Sequence, residues 1–176
     1  MEFDNCTNCC NNPILDFEYW NTLDEDVLNY TNCYSYAFDR IENNRNSKLQ
    51  PGELSNDEYN KYTCNHIVNK IKKDHSGIYK TDNIEYIPCN HYKIALVIDN
   101  KGNHDDYHFY RKDHNGLWSH KRGKYPITNL DASNNLIYDP KYADRNYDKE
   151  DNDEFNYEIF CGYYSIPYTG KKTDNL

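Results

Sequence analysis

Asp106-Tyr107-His108-Phe109-Tyr110-Arg111-Lys112-Asp113-His114-Asn115-Gly116-Leu117-Trp118-Ser119-His120-Lys121 reads as two β-prone runs joined by a tight turn. Both runs are rich in aromatic residues, and Asn115-Gly116 supplies the backbone freedom that a hairpin turn needs. Outward from this hairpin, 92–99 reads as a buried strand, with Ile94 to Ile98 the longest apolar run. Phe160 to Pro167 reads as a closing strand, and 136–138 as a short one. Upstream the pattern changes to helix. Leu23 to Leu28 holds one helical turn, and Thr31 or Asn32 caps a helix that starts at Cys33. Gln50-Pro51-Gly52-Glu53 is a turn signal. Residues 57–74 form a second helix, with Tyr59, Tyr62, His66, Ile67 and Ile71 at helical spacing. Helices followed by antiparallel strands define an α+β class. The expected organisation is a polar arm over 1–25, then one domain over 26–176 that carries an acidic, turn-rich segment at 121–157.

Composition bounds the function. Ile, Leu, Val and Phe total only 32 of 176 residues, and the net charge is -9, which together approach the composition of disordered chains. The 19 Tyr and 2 Trp argue for a fold instead, because aromatic rings bury large areas and keep a polar end near water. No apolar run approaches the ~18 residues of a membrane span. The acidic balance argues against a nucleic-acid partner, which needs a basic stripe for phosphate contacts. The opening MEFDNCTNCC has neither a basic nor an apolar signal region, so no signal peptide is expected. Seven Cys is an odd number, and they are scattered at 6, 9, 10, 33, 64, 89 and 161. They are therefore expected to be mostly reduced, in a cytoplasmic setting. The abundance of Asn, Tyr, Lys, Ile and Asp fits an A/T-rich genome, such as that of a giant virus, a low-GC bacterium or a protist.

Cys33 is the cysteine placed for chemistry. At a helix start, backbone N–H groups and the dipole favour a thiolate, which depresses the thiol pKa. Such a nucleophile needs an imidazole base, itself oriented by a third polar group. His108 in the first hairpin strand is the candidate base, and His120 in the second is the candidate orienter. A loop centred on His114 pairs the two histidines directly, whereas a two-residue Asn-Gly turn sets His108 opposite Gly123. Asp113 and Asp131 are the alternative orienters.

In Asn32-Cys33-Tyr34-Ser35-Tyr36-Ala37, Tyr107-His108-Phe109-Tyr110 and Gly116-Leu117-Trp118-Ser119-His120 the chain resembles the papain-like cysteine hydrolases, especially the NlpC/P60 type. The resemblance covers roughly residues 30–120. Together with Gln50-Pro51-Gly52-Glu53, these motifs also look like a small family of viral and bacterial proteins. The resemblance implies N-terminal helices packed on an antiparallel sheet. It also implies a thiol peptidase or amidase acting on a peptide or other amide, with Cys33 as nucleophile, His108 as base and His120 as orienter, and with no cofactor. Asn32 stands where that type commonly has Asp, and no Gln lies just upstream as an oxyanion donor. Two other classes compete. One is a non-enzymatic interaction or virion-associated protein on the same fold. The other is a structural zinc protein, drawing on Cys6-Thr7-Asn8-Cys9-Cys10, Cys64-Asn65-His66 and Cys89-Asn90-His91.

Overall fold

The computed structural model describes residues 12–41, 46–83, 86–101, 105–147, 155–169 and 172–173. In chain order it forms α1 (Phe17–Asn21), α2 (Glu25–Tyr30), α3 (Cys33–Ala37) and β1 (Arg40–Ile41), then a 3-10 turn at Glu53–Ser55. These are followed by α4 (Cys64–Asp74), β2 (Tyr79–Thr81), β3 (His91–Asp99), β4 (Asp106–Lys112) and β5 (Trp118–Lys121). The chain closes with β6 (Ile127–Thr128), β7 (Ile159–Pro167) and β8 (Lys172–Thr173). The α+β class read from the sequence is the class observed. Six strands form one antiparallel sheet in the order β2-β7-β3-β4-β5-β6. β1 and β8 form a separate parallel pair.

β3 and β4 lie in the middle of this sheet and are buried on both faces. Alternation then sorts their side chains. Ile94, Leu96, Ile98, Tyr107 and Phe109 point to α3 and α4, where they meet Tyr34, Ile67, Val68 and Ile71. Ala95, Val97, Tyr110 and Trp118 point the other way, onto Ala132, Ile137, Tyr147 and Tyr157 of the 129–157 segment. That segment holds single β-bridges at Leu130↔Leu136 and Asn146↔Asn156, so the strand expected at 136–138 is reduced to one bridge.

The second helix is shorter than its apolar spacing predicts, 64–74 rather than 57–74. Residues 57–63 stay outside the helix because competing bonds hold them. Asp57 binds Lys70 and Lys73 of α4 at 2.5 Å each, and the Tyr59 N–H donates to the Pro51 carbonyl at 3.1 Å. The second half of the expected arm is docked on the domain. Trp20 of α1 is fully buried against Tyr36 and Ile127, and residues 1–11 lie outside the described residues.

β7 carries a bulge opposite Leu96/Val97, where Gly162 adopts φ +135°. Strict alternation would put Cys161 on the Tyr163 face. The extra residue re-aims it to the helix face, as bulges do. There it forms a disulfide with Cys64, the first residue of α4. Cys89 is disulfide-bonded too. The expectation of mostly reduced thiols is thereby corrected. Of the four described cysteines only Cys33 is free. Partners 97 residues apart are brought together by docking of the helix, which spacing in a sequence does not reveal.

Candidate functional site: a buried cysteine beside a histidine relay

α3 begins at Cys33 because Asn32 caps it. The Asn32 side-chain oxygen accepts the Ser35 N–H at 3.0 Å, and its amide donates to the Leu49 carbonyl at 2.8 Å. Cys33 is 7% exposed, and its Sγ donates to the Tyr107 carbonyl at 3.9 Å. Burial, and secondarily the Asp106 carboxylate, push the thiol up to about 12. The depressed pKa expected from a helix start is therefore corrected. Five residues of helix offer little dipole, and desolvation of a buried thiolate outweighs it.

The hairpin turns over residues 114–116. The Asp113 N–H bonds the Leu117 carbonyl at 2.9 Å, and Gly116 takes φ +82°. This loop is odd in length, but it centres on Asn115, not His114. The register Arg111↔Ser119 aligns His120 with Tyr110, not with His108. The two histidines nevertheless share a face and meet diagonally, within reach of such neighbours. His108 Nε2 lies 2.8 Å from His120 Nδ1, and His120 Nε2 lies 2.9 Å from the Leu130 carbonyl.

This chain of contacts assigns the protons. A carbonyl only accepts, so His120 carries its proton on Nε2. Burial, first of all, pulls His120 down to about 4 and His108 well below its usual range, so both rings are neutral. Nδ1 of His120 is then an acceptor, and His108 donates to it from Nε2. Nδ1 of His108 is left with a lone pair, the state a proton acceptor needs. The Tyr157 ring packs against His108 at 5.3 Å, and its hydroxyl donates to Asp106 at 2.7 Å.

Cys33 and His108 line the same cavity of about 460 Å³, together with Asp106, Tyr147 and Tyr157. No hydrogen bond joins the two side chains, and the thiol is turned to the Tyr107 carbonyl. The alternative orienters are engaged elsewhere. Asp113 accepts from Arg111 Nε at 2.9 Å and from the Ser119 hydroxyl. Asp131 holds its own turn, accepting from the N–H groups of Ser133, Asn135 and Asp144. The zinc alternative loses Cys64 and Cys89, whose sulfurs are in disulfides, while Cys6, Cys9 and Cys10 lie outside the described residues.

Several residues of the site carry no chemical motif in the sequence. Gln50 accepts the Tyr107 hydroxyl at 2.7 Å, although its sequence context signals only a turn. Asp106 is one of many acidic residues until its position beside Cys33 and Tyr157 singles it out. The Leu130 carbonyl that fixes the relay is a backbone atom and leaves no side-chain signature at all.

No family model matches the chain, and no solved structure matches it. Insoluble matrix shell protein 1 of Ruditapes philippinarum is 35% identical over 129 residues, which cover 73% of this chain and 78% of that protein. Identity of that extent across most of both chains includes more than one local motif. The chain therefore belongs to the same family as insoluble matrix shell protein 1.

Proposed function

We propose that the protein is a thiol hydrolase of papain-like architecture, working on an amide or related acyl bond. Cys33 attacks the acyl carbon as His108 Nδ1 takes the thiol proton. That proton passes to the leaving nitrogen as the C–N bond breaks, water then releases the acyl group from sulfur, and His120 holds the tautomer. The observation that carries this reading is the relay from the Leu130 carbonyl through His120 to His108, which leaves a free acceptor nitrogen on a residue that lines the same cavity as Cys33. With the thiol raised and the imidazoles lowered, the resting pair is neutral. The proton leaves sulfur only as the carbon–sulfur bond forms, a general-base route in place of a preformed ion pair. Rotation of Sγ away from the Tyr107 carbonyl precedes attack. The disulfide at Cys64–Cys161 favours work in an oxidising compartment, not the cytoplasm.

The test is acylation by p-nitrophenyl acetate at pH 8. A burst of nitrophenolate, with one acetyl group located on Cys33 by mass spectrometry, is expected. His108→Ala should slow it by about 100-fold or more, the usual contribution of a positioned base. Equal rates in wild type and His108→Ala would overturn the reading. A second reading, a matrix component that performs no turnover, is favoured by the name of the shell relative. In that case Cys33 is a packed hydrophobe, and no burst occurs.

A further inference from the structure

Within the cavity the charges are not mixed evenly. Lys48, Arg122 and Lys124 line one part of its rim, around the turn at Gly123, while Asp105 and Asp106 line another. Lys48 reaches this turn from a remote loop, since its Nζ lies 3.3 Å from where a Cβ on Gly123 would sit. The Arg122 guanidinium is laid over the rings of Tyr147 at 4.2 Å and Tyr125 at 5.2 Å, which fixes its plane at the rim. Lys124 lies 6.0 Å from the Tyr125 ring centroid. Among the described residues neither Lys48 nor Lys124 has a carboxylate within ion-pair distance. Beneath the turn lies a lysine whose pKa burial lowers to about 7, so it adds little fixed charge to the rim. Lys121 is fully buried and donates from Nζ to the carbonyls of Leu28 at 2.7 Å and Gly123 at 2.6 Å. Asp105 and the half-buried Asp106, which accepts the Tyr157 hydroxyl, lie on the same cavity and offset part of the rim's charge. Lys48 and Lys124, at one concave rim of a chain with net charge -9, set a local positive field that an anion would relieve.

Building on the hydrolase reading, we propose that the Gly123 rim is a carboxylate-recognition subsite and that the site takes acidic peptides. An aspartyl or glutamyl carboxylate would sit among Lys48, Arg122 and Lys124. The adjoining peptide backbone would run along Tyr125, Tyr147 and Tyr157 toward Cys33. Two ammonium groups and a stacked guanidinium suit dispersed carboxylates on a peptide, and the aromatic wall suits its backbone and side chains.

The proposal is tested by titration calorimetry on the Cys33→Ala protein at 150 mM salt, with acetylated and amidated tri-aspartyl, tri-asparaginyl and tri-lysyl peptides. The tri-aspartyl peptide should bind at least about 10-fold more tightly than tri-asparaginyl, with tri-lysyl weakest. Adding Lys48→Gln and Lys124→Gln should remove the preference. Both side chains are exposed, so the fold is retained. Equal binding of the first two peptides, or a preference that survives the double substitution, would overturn the proposal. Acid-selective binding without a p-nitrophenyl acetate burst in wild type would sink the hydrolase reading while leaving the subsite. A burst without acid selectivity would do the reverse.

Discussion

On its helix face the sheet presents Ile94, Leu96, Ile98 and Phe109 to the aliphatic stripe of α4 and the aromatic side of α3. On its other face it presents Ala95, Val97, Tyr110 and Trp118 to a segment whose described residues form only single bridges. The first face follows helical periodicity and is closed by apolar contact. The second is held by polar handles on aromatic rings and by side chains that satisfy backbone groups. Arg145 donates to the carbonyls of Tyr157, Pro140 and Lys141, and the Tyr163 hydroxyl donates to Asp139. The difference shows how a chain poor in aliphatic residues completes a second core. Tyrosine supplies buried area, the hydroxyls of Tyr157 and Tyr163 find carboxylate acceptors in Asp106 and Asp139, and the irregular backbone needs no periodic stripe. It also explains where the imidazole relay sits. Neutral buried histidines need hydrogen-bond partners, and the irregular face offers the Leu130 carbonyl, which no ladder or helix occupies.

The sharpest way to break this contrast is to leave a charge stranded on the helix face. Arg111 is fully buried there and binds Asp39 at 3.0 Å and Asp113 at 2.9 Å. Arg111→Met leaves two carboxylates without their cation, and a loss of about 3–5 kcal/mol is expected from urea denaturation. A loss under about 1 kcal/mol would mean that the network contributes little. Next in size is the cross-link that joins α4 to the bulge. Cys64→Ala with Cys161→Ala should cost about 2–4 kcal/mol, seen as a lower denaturation midpoint with helix content retained.

A third test, read as the change that one histidine makes, probes the other face by pH. Both relay histidines have folded pKa values below the ordinary ~6.5. As pH falls below 6.5 the unfolded chain takes up protons that the folded chain refuses, until the folded values are reached, about 4 for His120. Stability is therefore full above the unfolded value and falls with pH across that window, by about 1.4 kcal/mol per unit for each histidine. His120→Asn should remove about half of the slope between pH 6.5 and 4.5, measured as the difference from wild type. An unchanged slope would show that these rings do not control it.

The same contrast governs what could be read in advance. The hairpin, the buried strand at 92–99 and the helix start behind Asn32 were legible because each has local chemistry: Asn-Gly, alternation, a cap. The meeting of His108 and His120 was legible as a proximity but not as a register, because a shift of the loop centre from His114 to Asn115 makes the contact diagonal. The helix end at 64 was hidden by apolar spacing that continues through Tyr59 and Tyr62. Only the bonds of Asp57 and Pro51 show why that stretch stays outside the helix. The 129–157 segment has no period to read, and its role depends on carbonyls that every residue possesses. The state of Cys33 is not legible in the sequence, because depth of burial is set by the whole fold, not by the helix start that its neighbours encode.

One further consequence concerns the order in which the molecule can be completed during synthesis. The stretch before Trp20 is held by residues from the hairpin turn. The His114 N–H donates to the Pro13 carbonyl at 3.0 Å, the Leu15 N–H to His114 Nδ1 at 3.3 Å, and Arg111 to the Ile14 carbonyl at 3.3 Å. None of these anchors exists until roughly one hundred more residues have left the ribosome, about 5–20 s at ordinary elongation rates. For that interval the Trp20 ring lacks its Arg111 neighbour, so the nascent chain keeps its N-terminal helices unlatched until the hairpin emerges.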